Sequence, residues 1–121
     1  MESVDIYFDK LIKLIPDIEF FYQTEKNEWF PENPPITLLM SDLARKILDL
    51  KLNKDVFQKL FFLIEDGVGS EKIGNAVATG LLETLYFNAD NTEKKEFVEL
   101  MGINSKIYIT SISDFYGLSL D

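Results

Sequence analysis

Apolar positions recur along most of the chain at spacings of three and four residues, the period of helices that bury one face. Val4, Phe8, Leu11, Ile12 and Ile15 form the first such stripe and predict a helix over residues 4–15. Ser3 is placed to cap it, and Asp5 falls in its first turn, where the helix dipole favours a negative charge. Pro16 stops that helix and suits the first position of the next, a short one over 17–26 carrying Ile18, Phe21 and Tyr22. Residues 27–35, NEWFPENPP, place three prolines in five positions, which predicts an extended loop.

Helical periodicity resumes at Ile36 and lasts to about Leu52, with Leu39, Leu43, Ile47 and Leu50 inward and Asp42, Arg45, Lys46 and Asp49 outward. Asn53 is the expected cap of a fourth helix running to Glu65, its inner face Val56, Phe57, Leu60, Phe61 and Ile64; Gly67 and Gly69 are expected to end it. Ser70 then caps a fifth helix to about Tyr86, on which the small residues Ala76, Ala78 and Gly80 suit the close approach of a neighbour. After a turn at Asn88–Asn91, Thr92 with Glu93 and Glu96 opens a sixth helix, closed by Gly102. Asn104 caps a seventh over about 105–116, with Ile109, Ile112 and either Phe115 or Tyr116 buried and Gly117 at its end. Only Lys106–Ile112 (KIYITSI) alternates with period two, and its β-branched content suits a strand as well. The pattern therefore reads as all-α, one multi-helix domain over residues 1–121 with about seven helices. Residues 36–69 and 70–102 form helix pairs of similar length, which permits a HEAT-like stack, although no residue-level self-similarity links them.

The length of 121 residues suits a single domain, one that hides about two thirds of its unfolded surface without covalent staples. Neither histidine nor cysteine occurs, which removes thiol catalysis, Ser-His and Cys-His triads, disulfide frameworks and thiolate zinc sites. The net charge of −9 opposes direct nucleic-acid binding. It is unevenly spread: residues 1–35 hold eight acids against three bases, residues 36–69 five of each, and residues 70–121 eight against four. If the two ends lie together they make one negative surface that steers a basic partner toward it; the alternative is that acidity serves solubility alone. The acidic N-terminus lacks the basic and apolar regions of a secretory signal, and no apolar run approaches the ~20 residues of a membrane span, so a bacterial-type cytoplasmic protein without membrane contact is expected.

Motifs for chemistry fail on inspection. Gly69 to Gly74 has the glycine spacing of a phosphate loop, but Asn75-Ala76 follow where lysine and a hydroxyl residue are needed. Asp90–Glu93 lacks the glycine and distal glutamate of a calcium loop. Glu93, Glu96 and Glu99, interleaved with Lys94 and Lys95, read as a solvated helix face. No catalytic constellation, metal site or cofactor is expected, and an enzyme ranks third among the readings. Asp42, Arg45 and Glu83 sit on core-forming helices, where Arg45 is placed to reach Glu83 or Asp42 as a clamp between helices or to touch a partner. Of the 16 aromatic residues, Phe20, Phe21, Tyr22, Trp29 and Phe30 crowd around the proline loop. Trp29 and Phe30 lie between Glu28 and Glu32, the composition of a binding hot spot for a basic surface; the alternative is that Trp29 packs the loop onto the bundle.

The runs Leu39–Ile47 (LMSDLARKI), Ile73–Leu85 (IGNAVATGLLETL) and Leu100–Tyr108 (LMGINSKIY) resemble, in order and spacing across roughly residues 5–116, a family of small acidic helical bacterial proteins. Some members look like immunity proteins of polymorphic or contact-dependent toxin systems. The resemblance implies a cytoplasmic protein that binds one cognate toxin, commonly a basic nuclease, and blocks it; it carries no catalytic residue. The leading expectation is thus an immunity-type protein whose acids mimic nucleic-acid phosphates while loop aromatics anchor the complex. Its expected contact residues are Glu28, Trp29, Phe30 and Glu32, with Glu65, Asp66 and Glu71 as a further acidic patch. The alternative is a helical adaptor or scaffold with no toxin partner.

Overall fold

A computed structural model describes residues 2–115, which fold into seven helices joined by short turns. Helix α1 spans Glu2–Leu14; a 3-10 turn, Pro16–Ile18, leads into α2, Glu19–Trp29. Helices α3 (Ile36–Leu50) and α4 (Lys54–Val68) follow. The fifth, α5, covers residues 74–87 without a break, as an α turn Gly74–Ala76, a π-helical stretch Val77–Leu82 and an α turn Glu83–Phe87. Helices α6 (Asn91–Leu100) and α7 (Ile103–Phe115) complete the bundle, so the KIYITSI segment is helical.

Helix α5 is the centre of the molecule, packed on α3, α4 and α7. Its Val77, Leu81, Leu82 and Leu85 are buried with Leu39, Leu43 and Ile47 of α3 and Leu60, Phe61 and Ile64 of α4. Each such side chain contributes about 1.5–3 kcal/mol relative to exposure. The small residues on α5 do what their size predicts: a Cβ on Gly80 would lie 2.7 Å from both Met40 Cβ and the Thr37 carbonyl oxygen. Because α5 packs on both α3 and α4, the two helix pairs of the sequence interlock around it.

The helix ends show where local reading and tertiary structure diverge. Asn53 caps α4 as expected, accepting from the Val56 N–H at 2.9 Å. That helix nevertheless runs through Gly67, because the absent side chain there makes room for Tyr7, whose hydroxyl donates to the Leu63 carbonyl at 2.8 Å. A Cβ on Gly67 would meet the Tyr7 hydroxyl at 2.8 Å. Ser3 lies inside α1, which already includes Glu2. Ser70 folds a turn, its hydroxyl accepting from the Lys72 and Ile73 N–H groups, and α5 begins only at Gly74. Helix α6 is opened by Asp90, not Thr92, through a reciprocal capping box with Glu93.

On α7 the predicted inner face is only partly right. Ile109 is buried and Ile112 half-buried, but Phe115 is 81% exposed; Tyr116 and Gly117 lie outside the described residues. The face turned inward is Ser105, Ile109 and Ser113, at i, i+4 and i+8, while Ile103 and Ile107 point to solvent. Arg45 takes Asp42, one of its two expected partners, but not as a clamp between helices. It bonds Asp42 at 3.1 Å within α3 on the surface, whereas Glu83 accepts from the Tyr108 hydroxyl at 2.8 Å, so Arg45 joins no two helices. Replacing Arg45 with alanine is accordingly expected to change stability by less than about 0.5 kcal/mol, the scale of an exposed i,i+3 pair, as a thermal melt will show.

Candidate binding surface

Helices α1 and α2 form a hairpin held by stacked Phe8 and Tyr22 rings, 3.9 Å apart and within 4° of parallel. Beside them Asp5 accepts from the Tyr22 hydroxyl and from Lys26, the latter at 3.2 Å. The Tyr22 bond, opposed by partial burial and reinforced by Lys26, holds the Asp5 carboxyl below its ordinary range. Lys26 is the only base between residues 19 and 35, and it is spent on α1. Lys26 is therefore not available to the acids on the other flank of α2.

That flank faces α3. Phe21 and Glu25 share a shallow groove with Lys46, also lined by Asp17, Phe20 and Thr24. Glu25 is pushed above its ordinary value first by partial burial and then by the carboxylates of Asp42 and Glu28. Phe20 is 82% exposed, Leu38 47% and Trp29 36%.

Of the residues expected to form the first patch, Glu28 and Trp29 are on the last turn of α2 and not on the proline loop. The helix persists because the first proline is at 31, leaving the backbone N–H groups up to Phe30 available for helical bonds. Phe30 closes α2, its N–H bonded to the Asn27 carbonyl at 3.3 Å, and its side chain is 80% exposed. Glu32 is exposed just beyond, with its N–H on the Trp29 carbonyl. Of these four, Glu28 is close enough to Glu25 to raise its pKa, and Glu25 in turn lines the groove with Phe20 and Phe21, none of the three being among the expected contact residues.

The second acidic patch comes apart. Glu65 turns from solvent toward the start of α7, accepting from the Asn104 and Ser105 N–H groups at 2.9 Å each and from the Ser105 hydroxyl at 2.8 Å. Partial burial raises Glu65, but these hydrogen bonds outweigh it and leave the carboxyl below its ordinary value. It caps a helix from 39 residues away, a role that Asn104 was expected to fill. Gly102 lets it in: a Cβ there would sit 2.4 Å from Glu65 Cδ. Asp66 points instead toward α1, in a shallow pocket with Ser3, Ile6, Tyr7, Lys10 and Ser70. Burial first, and Asp66 second, raise the Tyr7 hydroxyl far above its usual range. Glu71 is exposed on the following turn. The first two turns of α1 separate the patches, with Asp5 holding α2 on one side and Tyr7 gripping α4 on the other.

Among the described residues no group of three or more carboxylates is arranged to hold a metal ion, and no helix is long and apolar enough to cross a membrane. These features define a small, compact all-α domain that displays aromatic side chains along an acidic face. The chain belongs to the family described as a domain of unknown function, DUF7674, whose pattern matches residues 8–117. No curated protein and no solved structure matches it significantly.

Proposed function

We propose that this protein is an immunity-type binding protein, which neutralises a basic partner, a toxin of the nuclease kind, by occluding it in the cytoplasm. One observation carries the reading. Phe20 and Phe30 are 82% and 80% exposed on or beside a helix that carries Glu19, Glu25 and Glu28, while its one base, Lys26, is held by Asp5. Exposed aromatics recover binding energy on the hot-spot scale, about 2 kcal/mol each, only when a partner covers them. The excess of carboxylates on α2 selects a cationic partner and accelerates its arrival.

Purification of the tagged protein with the product of the adjacent open reading frame tests this directly. The expected result is a single basic, growth-inhibiting protein whose association rate falls at least tenfold between 50 and 500 mM salt, about what steering by several charges supplies. A second reading, a helical adaptor without a toxin partner, draws on the apolar outer face of α7, where Ile103 and Ile107 are 72% and 60% exposed. Recovery of the protein bound only to itself, insensitive to salt and abolished by Ile107→Ser, establishes that reading and removes the first.

A further inference from the structure

We propose that the outer side of α7 is a contact between two copies of this chain, on which α7 of the second copy lies antiparallel, Lys106 of each meeting Asp114 of the other. The contact uses no residue of α2 and so goes beyond the basic-partner reading. It gives the self-association of the second reading a face, a direction and a register.

Helix α7 is amphipathic the wrong way round for a chain that stays alone. Its inner face carries Ser105 and Ser113, 0% and 2% exposed, and the Ser113 hydroxyl has no hydrogen-bond partner among the described residues. Ile103 and Ile107 are instead 72% and 60% exposed. Ile103, Ile107, Thr110 and Asp114 are all exposed and stand at i, i+4, i+7 and i+11, so they form one line along the helix, with Lys106 beside it. A facing helix restores the burial that the two isoleucines forgo in water.

Charge selects that helix. Asp114 is in the line itself, so a helix that covers the line covers this carboxylate as well, and covering it without a cation is costly. Lys106 is the one base of α7 and Asp114 its one acid, and neither is in an ion pair among the described residues. They lie four residues to either side of Thr110. A second copy turned end for end about Thr110 therefore brings its Lys106 level with Asp114 and its Asp114 level with Lys106, each pair about 6 Å along the axis from the centre. Ile107 of each copy then packs beside Thr110 and Ser111 of the other. A parallel pair sets lysine against lysine and aspartate against aspartate. Glu65 and Glu83, which reach α7 from α4 and α5, are already engaged by Ser105 and by the Tyr108 hydroxyl. The line is thus neutral on a chain of net charge −9, and two copies can approach there. An anionic membrane or a nucleic acid meets only one lysine on this face.

One helix laid on one helix covers less than the about 800 Å² per partner of a standard interface, so the dissociation constant is expected on the order of 100 μM. Sedimentation equilibrium of the full chain from about 5 to 500 μM tests this and should show a reversible monomer–dimer equilibrium. Ile107→Ser is expected to weaken it at least about tenfold with the circular dichroism unchanged, since that side chain is at the surface. Lys106→Asp and Asp114→Lys should each weaken pairing about fivefold or more, and the chain carrying both should return to within about twofold of the native value. Both exchanges suit the helix dipole, so neither acts by unfolding α7. Asp114→Lys alone also lowers the net charge, which would tighten any pairing governed by overall repulsion. Phe20→Ser, on α2, is expected to leave the equilibrium within about twofold. A chain that stays monomeric throughout, a dimer indifferent to Ile107→Ser, an Asp114→Lys variant that pairs more tightly, or a doubly exchanged chain that fails to recover overturns the proposal. Capture of a basic partner is read separately in the co-purification, and none of these outcomes decides it.

Discussion

Replacing Gly80 with valine is expected to destabilise the protein by about 3 kcal/mol, the upper end of what an overpacked core site costs. Two effects oppose each other. Leaving glycine for a side-chain-bearing residue improves intrinsic helix propensity by a few tenths of a kcal/mol. Against this, the first added carbon would stand 2.7 Å from the Thr37 carbonyl oxygen, part of the α3 backbone, as well as 2.7 Å from Met40 Cβ. A flexible side-chain tip can yield at little cost, but a helix backbone moves only by dragging its buried stripe, Leu39, Leu43 and Ile47, out of register with α5. The steric term wins, and the two further methyl groups of valine enlarge it. Melting should fall by about 10 °C or more for a chain of this size. Gly80→Ala should lie between valine and the native protein; a melt that rises with alanine and holds with valine would show that α3 and α5 are not closely packed.

The second large effect belongs to Glu65. Its alanine variant leaves the first N–H groups of α7 and the Ser105 hydroxyl without their acceptor, at a cost of about 2 kcal/mol from a lost cap and unsatisfied donors together. Acid should have a related effect. The native pKa of Glu65 lies below its ordinary 4.5, so the stability it supplies is complete above that value and is lost as pH falls through the depressed one. Glu65→Gln is expected to flatten that part of the pH–stability profile. Hydrogen exchange in Glu65→Ala should quicken first across α7 and leave α3 and α5 protected. Uniform acceleration throughout the chain would mean that α7 does not open as a separate unit.

The stripes on α1, α3 and α4 were legible because each repeats every three to four residues, and the close approach at Gly80 because its neighbours Ala76 and Ala78 are small too. The π-helical stretch was not, since a widened turn at Val77–Leu82 reflects packing on α3 and has no propensity signature in VATGLL. The end of α2 was misread because three prolines suggested that irregular backbone began at Asn27, although proline disturbs helix mainly at and just before itself. On α7 the apolar residues Ile103 and Ile107 face water while Ser105 and Ser113 face the core, the reverse of what hydrophobicity indicates. Nothing local to Glu65-Asp66 distinguishes an acid committed to a helix start 39 residues away from its exposed neighbour. The groove that joins Phe20, Phe21 and Glu25 of α2 to Lys46 of α3 depends on contact between residues more than 20 apart, which spacing within either helix leaves open.

The central position of α5 has a consequence for the order in which the molecule is made. The ribosome delivers α3 and α4 first, and their inner stripes find their main counterpart only when residues 77–85 have emerged. At translation speeds of about 5–20 residues per second, the interval between the end of α4 and the end of α5 lasts about 1–4 s. For that time Leu39, Leu43, Leu60 and Ile64 belong to a nascent chain that has written its core-seeking surfaces before the piece that unites them. A chain stalled just after α4 is then a client for chaperones, whereas one stalled beyond α5 can already close on itself.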